Sequence, residues 1–154
     1  MEVRIETHPD MHLAGLLHEG AYSGVGRTWQ RFFSLAESSG LVGPGFLAVG
    51  VYYHNPRITP EAEQRAHAAM VWSPDAPLPH PEFEAVHVPG GRYAVYTHHG
   101  AYSGLPDAWY QFVEVWMKQP GRVFREGPCL EIYRGDVEHM DPAKLFTDLY
   151  VPVE

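Results

Sequence analysis

Cysteine is almost absent, basic residues never cluster and no apolar run is long, and each shortage removes a class of protein. Cys129 is the one cysteine, so no internal disulfide can form. The opening residues Met1 to Glu6 lack the basic-then-apolar order of a secretory leader, so a cytoplasmic protein is expected. The longest apolar stretch, around Gly45 to Tyr53, falls well short of the roughly 20 residues a membrane span needs, and no membrane association is expected. Eleven Lys plus Arg stand against nineteen Asp plus Glu, for a formal charge of −8. Without clustered cations to neutralise phosphates, direct nucleic-acid binding is not expected. The acidic excess mainly solvates the surface and attracts cations only weakly at long range.

What is present is a chain of 154 residues, of which 45% are apolar and 13% aromatic, including nine Tyr and four Trp. That length suits one domain, residues 1–154, with a real core. The aromatic share is high for a globular protein, and those rings need either a core or a ligand.

An internal repeat organises the chain. His18-Glu-Gly-Ala-Tyr-Ser-Gly-Val-Gly-Arg-Thr-Trp29 recurs 80 residues later as His98-His-Gly-Ala-Tyr-Ser-Gly-Leu-Pro-Asp-Ala-Trp109. At the same spacing Pro9 meets Pro89, Ala14 meets Ala94, Phe32 meets Phe112 and Tyr53 meets Tyr133. Repeat one is placed at about residues 1–72 and repeat two at about 82–154. The Pro-rich stretch Ser73 to Pro81 is read as the linker between them.

Each copy reads as strand, strand, helix, strand, strand. The strands are expected at Val3 to Thr7, Leu13 to His18, Phe46 to Tyr53 and Ala66 to Trp72. Their counterparts are Phe83 to Val88, Tyr93 to His99, Cys129 to Tyr133 and Phe146 to Val151. Trp29, Phe32, Phe33 and Ala36 fall at helical spacing after Val25, and Leu105, Ala108, Trp109, Phe112, Val113 and Trp116 repeat the stripe. Gly40 and Gly121 mark the helix ends. The fold class is therefore α+β, a tandem repeat of βαββ units with antiparallel sheets and two helices on one face.

Candidate chemistry centres on Cys129 to Tyr133. Alternation puts Leu130 and Ile132 on one strand face and Glu131 with Tyr133 on the other. If the helices cover the Leu130/Ile132 face, Glu131 and Tyr133 look the opposite way. At the repeat spacing Glu131 corresponds to Val51 and Tyr133 to Tyr53, which makes Glu131 an acidic exception in a symmetric scaffold. A carboxylate among rings selects flat, hydrophobic cations, because burial is costly until a cation neutralises it and ring faces attract that cation. With a raised pKa it could instead act as general acid or base. A third possibility is an ion pair with Arg92 or Arg134 at a strand edge. Tyr22 and Tyr102 either close a pocket or pack over the helix starts, whereas Trp29 and Trp109 are expected to pack.

Other motifs carry little. Ten His are present, yet His18 and the adjacent His98 and His99 lack partners at metal-ligand spacing, so no metal is expected. Ser23 and Ser103 sit outside any nucleophile elbow. The Gly24/Gly26 and Gly43/Gly45 pairs do not form a phosphate loop. Cys129 reads as a buried small hydrophobe. No cofactor is expected.

His18-x-Gly-x-Tyr22 and its copy at His98, Val51 to Pro56 with Thr59-Pro60, Pro89 to Ala94, Glu131-Ile-Tyr133 and Tyr150-Val-Pro152 occur in an order that resembles the GyrI-like small-molecule-binding family. That family shares its fold with effector-binding domains of multidrug-responsive transcription regulators. The resemblance covers nearly the whole chain and implies a pseudo-twofold pair of βαββ units with a ligand groove where they meet. It also implies that Glu131 is the cation-neutralising residue of the groove floor. In the regulators a DNA-binding segment precedes this domain, and with a first strand at about Val3 none is expected here, although action through a protein partner stays open.

Three functions follow. The first is a stand-alone module that binds hydrophobic, aromatic or cationic small molecules through Glu131, with Tyr133, Tyr53, Tyr102, Tyr22 and Val51 lining the site. The second, suggested by family relatives, is a hydrolase of strained, cyclopropane-bearing reactive xenobiotics with Glu131 as catalytic acid or base and Glu114 and Glu138 as distant candidates. The third is a protein-interaction module of the gyrase-inhibitor type.

Overall fold

Alternating apolar residues, glycine turns and two apolar helical stripes give eight strands and two helices in the computed structural model, which describes residues 1–134, 141 and 144–154. The strands are β1 (Val3–His8), β2 (Met11–Glu19), β3 (Ala48–Tyr52), β4 (Arg65–Val71), β5 (Glu84–Val88), β6 (Gly91–His99), β7 (Cys129–Arg134) and β8 (Phe146–Pro152). The helices are α1 (Val25–Ser38) and α2 (Leu105–Trp109), and α2 continues as a π-helix over Tyr110–Trp116. Ser73 to Pro81 carries neither strand nor helix. Among the described residues no helix is long and apolar enough to cross a membrane.

The chain forms two compact units, Asp10–Pro89 and Met1–Pro9 together with Gly90–Glu154. In the first, strands lie in the order β3-β4-β2-β5; in the second, β1-β6-β8-β7, and every described pairing is antiparallel. The packing units differ from the sequence repeat by their first strands. β1 pairs with β6, and β5 pairs with β2, instead of each folding back on the strand that follows it.

In the first unit, period-two alternation sends Ala14 and Leu16 of β2 and Ala68 and Met70 of β4 into a cluster with Phe32, Leu35 and Ala36 of α1. Phe32 stacks on Phe83 at 5.5 Å. Full burial of a side chain of this size contributes about 1.5–3 kcal/mol. Helix α1 stops where expected: Gly40 takes φ 71°, the Leu41 N–H donates to Ala36 O at 2.9 Å and the Gly40 N–H to Glu37 O at 3.0 Å. Paired bonds of this kind satisfy the last carbonyls, and glycine enters the left-handed region without a Cβ clash.

The second unit repeats the plan with Ala94, Leu105, Ala108, Phe112, Met117, Leu149, Val151 and Val153. Its helix carries one extra residue. Met117 N–H reaches back five positions to Phe112 O at 2.9 Å, the bond of a π turn. Before this turn the two copies stay 80 residues apart, as β2 and β6 show; after it Ala48 aligns with Cys129 and Arg65 with Phe146, a spacing of 81.

Candidate functional site

The extra residue changes which side chains correspond. Gly50 lies opposite Ala68 in the β3–β4 ladder, and Glu131 lies opposite Leu149 in the β7–β8 ladder. The counterpart of Glu131 is therefore Gly50, and that of Tyr133 is Tyr52, which corrects the assignment to Val51 and Tyr53. A shift of one residue turns every side chain of a strand to the other face. Ring contacts agree, since Tyr102 meets Tyr133 edge-on at 5.5 Å and Tyr22 meets Tyr52 edge-on at 5.1 Å.

The condition under which Glu131 would look away from the helix, cover of the Leu130/Ile132 face, is not met. The partner of Glu131, Leu149, belongs to the cluster beneath the helix, together with Cys129 and Tyr133. The helix thus covers the Glu131/Tyr133 face, not the Leu130/Ile132 face. Alternation says which residues share a face, but the helix takes the side that Leu149 and Val151 make apolar.

Glu131 is 5% exposed. Trp109 donates its indole N–H to Oε1 at 2.6 Å, and the Tyr133 hydroxyl donates to Oε2. Both donors are neutral. They stabilise the carboxylate through charge-assisted hydrogen bonds without cancelling its charge. The arginines considered as ion-pair partners are placed elsewhere: Arg134 Nε lies 3.0 Å from Asp148, and Arg92 donates to Glu154 O at 2.9 Å. Burial, and then the charge of Glu131, raises the Tyr102 phenol above its ordinary pKa. The same two causes push Cys129 up to about 12, a protonated thiol; the residue packs against the apolar cluster but is only partly buried, short of the buried hydrophobe expected there.

Trp109 was expected only to pack. It does stack on Phe112 at 6.2 Å, and its indole N–H is in addition the donor to Glu131, a role for which the only sequence signal is the polar edge that any buried Trp must satisfy. The Tyr102 hydroxyl is buried without a hydrogen-bond partner, so a polar group of a ligand could meet it.

Of the remaining candidates, Tyr22, Val51 and Tyr53 belong to the unit Asp10–Pro89. In the first unit the Tyr22 hydroxyl donates to Arg65 O at 2.7 Å and accepts from the His54 N–H at 3.1 Å, which ties it to backbone. Val51 and Tyr53 alternate with Gly50 and Tyr52 and so lie on the β3 face away from α1. Glu114 falls within the π-helical segment, and Glu138 lies outside the described residues. Among the described residues no group of three or more His, Cys, Asp or Glu could hold a metal ion.

A family model described as the GyrI-like small molecule binding domain matches residues 1–154. A curated DNA gyrase inhibitor from Erwinia billingiae (strain Eb661) is 31% identical over 107 residues, covering 68% of this chain and 68% of that protein. Among solved structures, the EcmrR C-terminal domain has a TM-score of 0.73 at 14% identity, covering 99% of this chain and 97% of that one. SAV2435 bound to tetraphenylphosphonium has a TM-score of 0.71 at 17% identity, covering 100% of this chain and 94% of that one. At such identities the structural likenesses bear on fold alone.

Proposed function

The chain belongs to the GyrI-like small-molecule-binding domain family, and from that premise we propose that it captures hydrophobic cations at Glu131, with Tyr133, Trp109 and Tyr102 supplying ring surface. The observation that carries this reading is a carboxylate 5% exposed whose two oxygens are held by the neutral donors Trp109 and Tyr133. A carboxylate set among rings favours an incoming cation, and each ring face adds roughly 0.5–2 kcal/mol. A lipophilic cation without N–H groups suits the site best, because it gains the field of Glu131 without displacing either donor. Capture of tetraphenylphosphonium by a structural neighbour supports the same chemistry.

The test is calorimetric titration of the protein with tetraphenylphosphonium, followed by chromatography of the recovered compound. Saturable binding with the compound unchanged supports capture. No heat of binding would overturn it, and consumption of the compound would move the reading to a hydrolase. The likeness to a DNA gyrase inhibitor supports a second reading, contact with a gyrase-type enzyme. Inhibition of purified gyrase supercoiling by this protein, without added ligand, is its test.

A further inference from the structure

A hydrogen-bonded chain of three side chains lies in the unit Asp10–Pro89, on the sheet face away from α1. His67 sits in β4, opposite Leu17 of β2 and Val51 of β3, and is 9% exposed. Its Nδ1 is 2.7 Å from the Tyr53 hydroxyl, and the two rings meet edge-on at 5.5 Å. Its Nε2 is hydrogen-bonded to Glu84 Oε1. Glu84 is 53% exposed along its side chain, and Tyr53 is 38% exposed.

The proton positions follow from donor chemistry. A carboxylate only accepts, so Nε2 carries the hydrogen donated to Glu84; in the neutral ring Nδ1 must then accept, and Tyr53 donates to it. The single hydroxyl hydrogen of Tyr53 is committed inward and its free lone pairs point outward. Tyr53 is therefore presented to solvent as an acceptor, with the charge of Glu84 behind it. Burial first, and then the negative field of Glu84 and the neighbouring Tyr22, push the Tyr53 phenol up to about 12, so it stays neutral.

We propose that Tyr53, His67 and Glu84 form a second ligand site, for a protonated primary or secondary amine that donates an N–H to the Tyr53 oxygen while Glu84 attracts its charge. Nearby charged and titratable groups leave that role open. Arg65, two residues along β4, lies 3.7 Å from Glu19 and donates to the carbonyls of Ala62 and Gln64. Tyr22 donates to Arg65 O, and His54 accepts the Arg65 N–H at 3.0 Å. A second proton on His67 would turn Nδ1 into a donor, force Tyr53 to accept from it and point the hydroxyl hydrogen outward.

This inference does not rest on the Glu131 reading, and ligand chemistry separates the two. The experiment is an amide and imidazole NMR titration of the whole chain, and of Tyr53→Phe, with benzylammonium and with benzyltrimethylammonium, which lacks N–H groups. Benzylammonium is expected to shift amides near Val51 to Tyr53 and Arg65 to His67, with at least about tenfold weaker binding in Tyr53→Phe. The His67 ring is expected as the Nε2–H tautomer, and benzyltrimethylammonium is expected to leave those amides unmoved. Unmoved amides with benzylammonium, equal affinity in Tyr53→Phe, or a His67 ring protonated on Nδ1 alone would each overturn the proposal. Failure of tetraphenylphosphonium to bind would sink the Glu131 reading and leave this result standing.

Discussion

Replacing Glu131 with Gln removes one charge while keeping side-chain volume and one carbonyl acceptor. A ligand cation about 5 Å from the carboxylate gains about 3 kcal/mol at an effective dielectric of about 20, and less where solvent screens it. The expected loss on substitution is therefore about 1–3 kcal/mol, or roughly 5- to 150-fold in Kd. The amide NH2 can face Tyr133, whose hydroxyl turns to accept from it, while the amide carbonyl keeps the Trp109 indole bond. Exchanging charge-assisted for neutral hydrogen bonds costs about 1 kcal/mol of folding stability, partly offset by no longer burying a charge. Comparing two ligands on the same variant cancels this folding term. Calorimetry with tetraphenylphosphonium and the neutral triphenylphosphine oxide should show the loss for the cation and less than about a threefold change for the neutral compound. Equal losses for both would refute the electrostatic reasoning and reduce Glu131 to a structural hydrogen-bond acceptor.

Three further outcomes follow from the packing and the titrating groups. Phe112 is 0% exposed, so Phe112→Ala should cost about 3–5 kcal/mol and lower Tm by about 6–20 °C in a thermal melt, and a fall under about 3 °C would contradict its place in the core. Tyr53 is pushed up to about 12, and burial and nearby carboxylates also raise Tyr102 and Tyr150. Their folded pKa values lie above the unfolded value of about 10, so the stability they contribute is fully present below that pH and lost as pH rises through the folded values; phenolate absorbance should lag behind nine free tyrosines until the protein unfolds in base. With its thiol pushed up to about 12, Cys129 should resist a disulfide reagent at pH 8, where only about one thiol in ten thousand is ionised, and react fully once denatured; prompt labelling of the native protein would contradict that raised pKa.

Much of the fold was legible because period-two and helical stripes report directly on burial. Gly40 marked the end of α1 because the paired closing bonds need a left-handed residue there. Glu131 was legible too, as a carboxylate inside an otherwise apolar strand. Its surroundings were not. The π turn at Tyr110–Trp116 inserts one residue without breaking the apolar stripe, so a constant repeat spacing misassigned Glu131 to Val51 and Tyr133 to Tyr53. Alternation could not say which face of β7 the helix covers, since Leu130 and Ile132 are as apolar as a helix-facing pair would be. The exchange of β1 and β5 leaves no mark in the pattern either, because a strand's own alternation does not name its partner. Tyr53 follows directly on β3, His67 lies in β4 and Glu84 in β5, and only the β3–β4–β2–β5 order brings them within hydrogen-bonding reach.

The indole N–H of Trp109, bonded to Glu131, is a reporter placed at the proposed cation site. Its resonance in an amide-type NMR spectrum, assigned by its loss in Trp109→Phe, should move saturably as tetraphenylphosphonium is added and move far less with triphenylphosphine oxide. A saturable response at other residues, with the Trp109 indole resonance unmoved, would show that the cation binds elsewhere and that Glu131 is not its counter-charge.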